Sequence, residues 1–418
     1  VRDRHLAFIL YSGLALAFMG TASFMGAASV TGAAYGEEPP ITIGVPTSVQ
    51  LQVGRDSIDA TALAIEEINA KGGVLGRKLR MVVADETENP QEGVAAINKL
   101  TADEHVDVLI GGYTSGVTLA QEPHIADSKT VYIEVGAASP AITDFVRRNY
   151  SRYKYIFRAN PINAAHQADQ LIDFAVAKLK GEEGYQKIAI IGENAKWVQD
   201  LSPVLKAGIE KGGMSVTSVD LFDPDTSDFS PLFSKIKASG AQYLMVVLSH
   251  ANSDVLVKQW YDAKLPLPIG GIDVKSQDND FFKRIGGKAV SETVANNIIP
   301  SPMTAKTMPF WNEFENRFKR GPVYTGAGSY DAVYIYAEAA TRAGSTAADK
   351  IIPELEKTHY IGTEGLYEFD AQHDVKSGPG YLNFAFAQWY PDGSRVIVWP
   401  KEMAKGKMIP PPWITGKN

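Results

Sequence analysis

The chain contains no cysteine. That absence removes disulfides, thiolate nucleophiles and cysteine-held zinc, and it excludes a lipid-modified N-terminal cysteine. A secreted chain of this kind must be held by its core alone, which a large domain can manage and a small one usually cannot. The histidines show neither an HExxH pattern nor paired metal spacing: His105, His124, His166, His250 and His359 are scattered singly. A lone histidine is ordinarily a surface or satisfied core residue rather than a ligand. No GxSxG elbow is present. An excess of one charge sign is missing too, since 41 basic and 48 acidic residues leave a net charge of -7. Without a concentrated basic patch, a nucleic-acid partner is set aside. The sequence therefore calls for no metal, no cofactor and no enzymatic activity.

What is present is ordinary globular composition, 45% hydrophobic and 21% charged, which excludes a polytopic membrane protein and a disordered one. At 418 residues the chain exceeds what one hydrophobic core usually organises, so two domains are expected. The N-terminus places Arg2, Arg4 and His5 before an apolar run over residues 6–18, continued by small residues to 30 and then Gly32-Ala33-Ala34-Tyr35-Gly36. This is a signal-peptide layout, with cleavage after Gly36 or Ala34. The alternative is an uncleaved anchor, because roughly 20 apolar residues suffice to span a bilayer.

From residue 41 the pattern alternates. Residues 41–45 read as a strand, and 56–71 as an amphipathic helix with Ile58, Ala62, Ile65 and Ile68 at helical spacing. Strands follow at 78–84, 106–110 and 130–135, with helices from Pro90 and over 115–127 between them. Such alternation implies right-handed βαβ crossovers and a parallel sheet. A second α/β stretch has strands at 187–191, 215–222, 242–248 and 268–270, with helices at 231–239 and 253–263. Helices at 305–320 and 329–343 precede strands at 382–389 and 395–399.

Two tempting motifs have ordinary readings. Gly72-Gly73-Val74-Leu75-Gly76-Arg77 follows a helix and leads into a strand, the reverse of a phosphate loop, so it reads as a helix stop and turn. The interleaved aromatics and bases between Arg147 and Arg158 read as a strand with a solvated edge at a crossover rather than a nucleic-acid stacking strip.

More specific is the stretch 54–126. A Gly-led helix ends Ala64-Ile65-Glu66-Glu67-Ile68-Asn69-Ala70 and runs into the glycine turn, followed by Asp85, Pro90, Gly111-Gly112-Tyr113-Thr114-Ser115-Gly116 and Pro123-His124-Ile125-Ala126. Agreement continues at Ala137-Ala138-Ser139-Pro140, Phe157-Arg158, residues 187–192, Gln388-Trp389 and Val398-Trp399-Pro400. Here the chain resembles the leucine/isoleucine/valine-binding family of periplasmic solute-binding proteins. The resemblance implies an α/β fold of two lobes, each a parallel-rich sheet flanked by helices, joined by three crossovers. It implies a signal peptide over 1–36, a first lobe from 37–158 and 299–383, and a second from 159–298 and 384–418. It also implies a free periplasmic protein that is not an enzyme, whose partners are a small-molecule ligand and the permease subunits of an ABC importer.

Ligand is expected at the carboxyl edges of the strands. Ser115-Gly116 lies after a strand at a helix start, where a hydroxyl and free amides converge and a carboxylate fits. Ala137-Ala138-Ser139 follows another strand, with Ser139 a candidate helix cap and Pro140 at the first helical position. Alternatively, both serines are merely caps. By resemblance, Trp197 closes over the ligand from the second lobe, and Asp273 stands where amino-acid binders carry an acid for the ammonium group; packing and turn roles are the alternatives. Val53 and Tyr324 are weaker pocket candidates. Two departures from the family's pattern concern the ligand: Ala138 stands where many members carry threonine, and the loop 46–53 is not glycine-rich. A branched-chain amino acid is the expected ligand, with urea, short amides or aromatic carboxylates as alternatives. An extracellular sensor and a secreted hydrolase are the rival roles.

Overall fold

A β-branched run in which every residue is buried opens the fold: β1 (Ile41–Thr47). It pairs in parallel with β2 (Leu79–Asp85) and β3 (Val108–Gly111). The sheet then extends through β4 (Val131–Glu134) to β5 (Ile156–Arg158), in the order β2-β1-β3-β4-β5. β3, β4 and β5 are wholly buried, as expected of parallel strands covered by helices on both faces. The computed structural model describes residues 38–414. The expected signal peptide lies outside the described residues.

A second sheet contains β6 (Lys187–Glu193), β7 (Ser215–Phe222), β8 (Tyr243–Leu248), β9 (Ile269–Asp273) and β10 (Thr293–Asn296). These pair in parallel in the order β10-β9-β8-β6-β7. After a small hairpin of β11 (Tyr360–Ile361) and β12 (Leu366–Tyr367), the sheet gains β13 (Ala385–Trp389) and β14 (Arg395–Trp399) antiparallel at the β10 edge. β10 was not expected: Thr293-Val294-Ala295-Asn296 lacks the apolar run that marks the other buried strands.

Between β10 and β13 the chain returns to the first sheet. Helices Thr307–Phe318 and Tyr324–Ala343 join its core through Phe310, Trp311, Phe314, Tyr330 and Tyr336. The latter helix packs along Gln52–Ala70, with Ser57 and Ser329 hydroxyls 2.7 Å apart. The chain thus crosses between the sheets three times, after β5, after β10 and before β13, forming two lobes. Two crossovers are tied together: Asn297 Nδ2 donates to Asn160 Oδ1 at 3.0 Å, and Asn160 Nδ2 donates to the Val135 and Tyr324 carbonyls.

Helix Gln52–Ala70 does stop at the glycine turn, where Gly72 and Gly73 take φ of 105° and 81°, a region that β-carbon-bearing residues avoid. The strip after Arg147 differs from expectation. Arg158 ends the edge strand β5, but it is fully buried among carboxylates rather than solvated.

Candidate ligand-binding site

The first lobe presents two loops that touch backbone to backbone. Past β3, Gly112 adopts φ 91°, and a Cβ there would lie 2.1 Å from Tyr132 Oη; a Cβ on Gly136, past β4, would lie 2.2 Å from Gly112 O. This close approach brings Ser115, the first residue of helix Ser115–Ser128, under the second loop. Its Oγ accepts the amides of Ala138 and Ser139, each at 3.1 Å. With its acceptor sites used, the hydroxyl hydrogen is left to donate to a ligand. The first amides of that helix precede its internal hydrogen-bond ladder, and its start carries positive potential.

Behind these loops sits a buried ionic cluster. Glu134 Oε1 accepts the Gly136 and Ala137 amides, and its other oxygen is 3.4 Å from Arg158 Nε. Arg158 also donates to Asp374 at 2.9 Å and to the Ser139 carbonyl at 2.6 Å. Burial raises Glu134 to about 7, although the Arg158 charge and the two amides pull it down. Nearby, burial raises Glu86 to about 8 and Glu122 to about 9.

The second lobe is organised by Glu193, the last residue of β6 and fully buried. Its Oε2 accepts the amides of Ser249, His250 and Ala251 at 2.9, 2.7 and 2.8 Å. Its Oε1 accepts from Trp197 Nε1 at 3.0 Å and lies 2.7 Å from His250 Nδ1. One carboxylate therefore fixes the loop past β8 and the indole at the start of helix Lys196–Lys211. Burial works to raise Glu193, but the hydrogen bond and charge of His250 and the loop amides outweigh it, and the group ends below the ordinary range. For His250, burial works downward, and the bond and charge of Glu193 with the charge of Glu88 raise it overall.

The lobes meet directly. Tyr113 Oη and Ser249 Oγ are 2.7 Å apart, Ser139 Oγ donates to Asp200 Oδ2 at 2.7 Å, and His250 Nε2 lies 3.3 Å from Glu88 Oε1. Between them lies a cavity lined by residues of both lobes, with about 450 Å³ of non-atom space, part of it open to solvent. Aromatic walls come from Tyr113, Trp197, Tyr324 and Phe384, and aliphatic ones from Ile162, Ile272, Val274 and Ala295. Ser115, Gln167, Ser249, His250, Gln277 and Asn297 supply the polar side chains.

Of the residues singled out from the sequence, Ser115, Ala138, Trp197 and Tyr324 come together on this lining. Ala137 is buried behind the loop on Glu134, and Gly116 is exposed beside it. Ser139 bridges the lobes through Asp200 and also accepts the Ala141 amide at 3.4 Å. Val53 lines an adjoining recess, with Glu88 and Asp278, that shares Tyr113, Ser249, His250 and Val274 with the cavity. Asp273 ends β9 but is interior: Oδ1 accepts the Ser276 amide at 3.2 Å, and it lies near Glu292. Glu193, His250, Ser249, Gln167 and Asn297 were not anticipated. For Ser249, His250 and Asn297 the available signal was a position just past a strand's carboxyl end, and Glu193 is the last residue of β6; Gln167, in helix Ala164–Asp173, carried none.

Two parallel-rich sheets whose carboxyl ends face each other across a cavity, joined by three crossovers, define a two-lobed binding-protein architecture. The sequence model of the family described as Periplasmic binding protein matches residues 40–393, and the chain belongs to that family. It is 27% identical to the Leu/Ile/Val-binding protein homolog 3 of Brucella melitensis biotype 1, over 75% of this chain and 81% of that protein. Among solved structures, a putative branched-chain amino acid ABC transporter from Silicibacter pomeroyi superposes with a TM-score of 0.77 at 20% identity, covering 90% of this chain and 100% of the other. A solute-binding protein of an ABC transporter from Rhodopseudomonas palustris BisB5, in complex with 3,4-dihydroxy benzoic acid, gives a TM-score of 0.75 at 19% identity, covering 90% and 99%.

Proposed function

We propose that this protein is the substrate-binding component of an ABC importer, capturing a small carboxylate-bearing solute by lobe closure and presenting the closed form to membrane permease subunits. The observation that carries the reading is Ser115. Its hydroxyl is fixed by two amides at a helix start, facing a cavity whose opposite wall holds His250. A fixed donor and the positive potential of the helix start favour an anionic head group. The relatives' names support transport of a small solute. No bond is made or broken in this scheme. Ligand shifts the open-closed balance only by its differential affinity for the two forms.

The division at 158/159, 298/299 and 383/384 is our assignment of the lobes, supported by the core residues changing from the first sheet's cluster to the second's near these points. We assign the chain to the periplasm, with residues 1–36 as its export signal. Among the described residues no helix is long and apolar enough to cross a membrane.

The test is calorimetry of ligand-stripped protein against small acids and amides, followed by uptake in cells carrying or lacking the cognate permease. Binding together with permease-dependent uptake is the expected result. Binding without any effect on uptake would favour an extracellular sensor.

A further inference from the structure

No aspartate or glutamate lines the cavity among the described residues. Glu88 and Asp278 line the adjoining recess, where Glu88 faces His250 at 3.3 Å, and three other acids are turned to partners inside their own lobes. Glu193 accepts from three amides, an indole and His250. Glu134 is used by two loop amides and faces Arg158. Asp273, the residue expected to receive an ammonium group, accepts the Ser276 amide from within the lobe, where Glu292 accepts from Ser276 Oγ at 2.8 Å. At this position in β9 the chain turns Ile272 to the cavity instead. The Gly136 carbonyl accepts one hydrogen bond, from Tyr324 Oη at 3.2 Å. Gln167 Oε1 is a buried acceptor with no hydrogen-bond partner. It offers a neutral hydroxyl a good bond, but it offers an ammonium one bond and no compensating charge.

The charge pattern points the other way. His250 is the lining's ionisable base, but its two ring nitrogens face Glu193 and Glu88, which compensate its charge, so the positive potential left for an anion is that of a helix start. Opposite it lies the start of helix Ser115–Ser128. A zwitterion in this cavity would satisfy its carboxylate and leave its ammonium desolvated without a counter-charge, which is strongly unfavourable. The ring-rich walls, Tyr113, Trp197, Tyr324 and Phe384, match a flat apolar body, since offset and edge-on ring contacts add to area burial.

We infer that the cavity selects carboxylic acids with an aromatic body and no amino group, with room for a ring hydroxyl at Gln167. This rests on the proposed reading of the site as a carboxylate-binding cleft and narrows it. The test uses matched pairs differing only in the amine. Ligand-stripped full chain is titrated by calorimetry with hydrocinnamate against phenylalanine, isocaproate against leucine, and benzoate, with benzamide as the uncharged probe. The expected result is that each deaminated acid binds at least about 100-fold tighter than its amino-acid twin, and the ring acids tighter than isocaproate. An amino acid binding as well as or better than its deaminated twin overturns the inference while leaving the carboxylate reading intact. Benzamide binding with no acid binding overturns both. A second arm places an acid on the lining: Ile272→Glu should shift the phenylalanine-to-hydrocinnamate ratio by at least about 10-fold toward phenylalanine, and Ile272→Gln should not. An equal shift in the two variants would also count against the inference.

Discussion

Replacing Glu193 by glutamine tests whether one buried carboxylate organises the second-lobe wall. The wild-type group accepts five hydrogen bonds within 3.0 Å and is fully buried. In Glu193→Gln the amide oxygen can keep the three loop amides, but the amide nitrogen then faces Trp197 Nε1 and His250 Nδ1. The imidazole must become neutral to accept from it, and the indole N–H loses its acceptor. Breaking a buried ion pair costs about 3–5 kcal/mol, and an orphaned donor about 1–3 kcal/mol. Because the glutamine retains part of the network, a loss of about 3 kcal/mol is expected by denaturant midpoint. The pH dependence has a defined sign. Glu193 is held below its ordinary 4.5, so its contribution is present above that value and lost as pH falls through the folded pKa. His250 is raised above 6.5, so its contribution is complete below 6.5 and lost as pH rises through its folded value. The pair therefore stabilises the fold most between those ordinary values. In the variant this dependence should flatten, and His250, followed by NMR titration, should drop below 6.5 because burial then dominates. A variant as stable as wild type to within about 0.5 kcal/mol, with His250 still titrating high, would refute this account of the wall.

Three further substitutions probe other parts of the site. Ser115→Ala removes the hydroxyl that accepts the Ala138 and Ser139 amides and should weaken binding of the best acid about 10- to 100-fold in calorimetry, with the fold retained by circular dichroism. Gly112→Ala combines φ 91° with a Cβ 2.1 Å from Tyr132 Oη; a loss of about 2–4 kcal/mol in chemical denaturation is expected. Both carboxyl oxygens of Glu122 are buried without hydrogen-bond partners, and burial raises it to about 9. Its folded pKa lies above the ordinary value, so stability should fall as pH rises from about 5 to 9, and Glu122→Gln should be the more stable protein at the alkaline end of a thermal-melt series.

The first lobe was legible because its strands are apolar, its helices amphipathic and its turns marked by glycine, so local preference and tertiary structure agree. In the second lobe β6 to β9 and the helices near 231–239 and 253–263 were legible for the same reason, whereas helices Ala164–Asp173 and Lys196–Lys211 were not read from the sequence. Where local signals conflict with the fold, reading stopped short. Helix Tyr324–Ala343 begins five residues before the expected 329, because Gly326 and Gly328 disguise its first turns. Their lack of side chains serves packing there, since a Cβ on Gly328 would meet Asn160 Nδ2 at 2.5 Å. Arg158 looked like a solvated edge, yet the cluster of Glu134 and Asp374 that buries it comes from segments far apart in sequence. Asp273 and Ile272 show the finest limit. Which of two neighbours at a strand's end faces the cavity depends on a phase of one residue, and that phase puts an alkyl group rather than an acid on the lining.

The placement of Asn297, Ile162 and Phe384 bears on how occupancy and closure are linked. All three line the cavity, and all three lie on or beside the crossovers that join the lobes. Asn297 is bonded to Asn160, which in turn holds the Val135 carbonyl before the Gly136 loop and the Tyr324 carbonyl at the start of its helix. Any rotation of one lobe against the other must change backbone angles in these segments, so it must also move part of the ligand's own wall. The direct bridges Tyr113–Ser249 and Ser139–Asp200 flank the same wall and can form only when the lobes meet. On the proposed function, a ligand seated on Ser115 would bias closure through contacts that the open form cannot offer, which is the differential affinity that a closure mechanism requires.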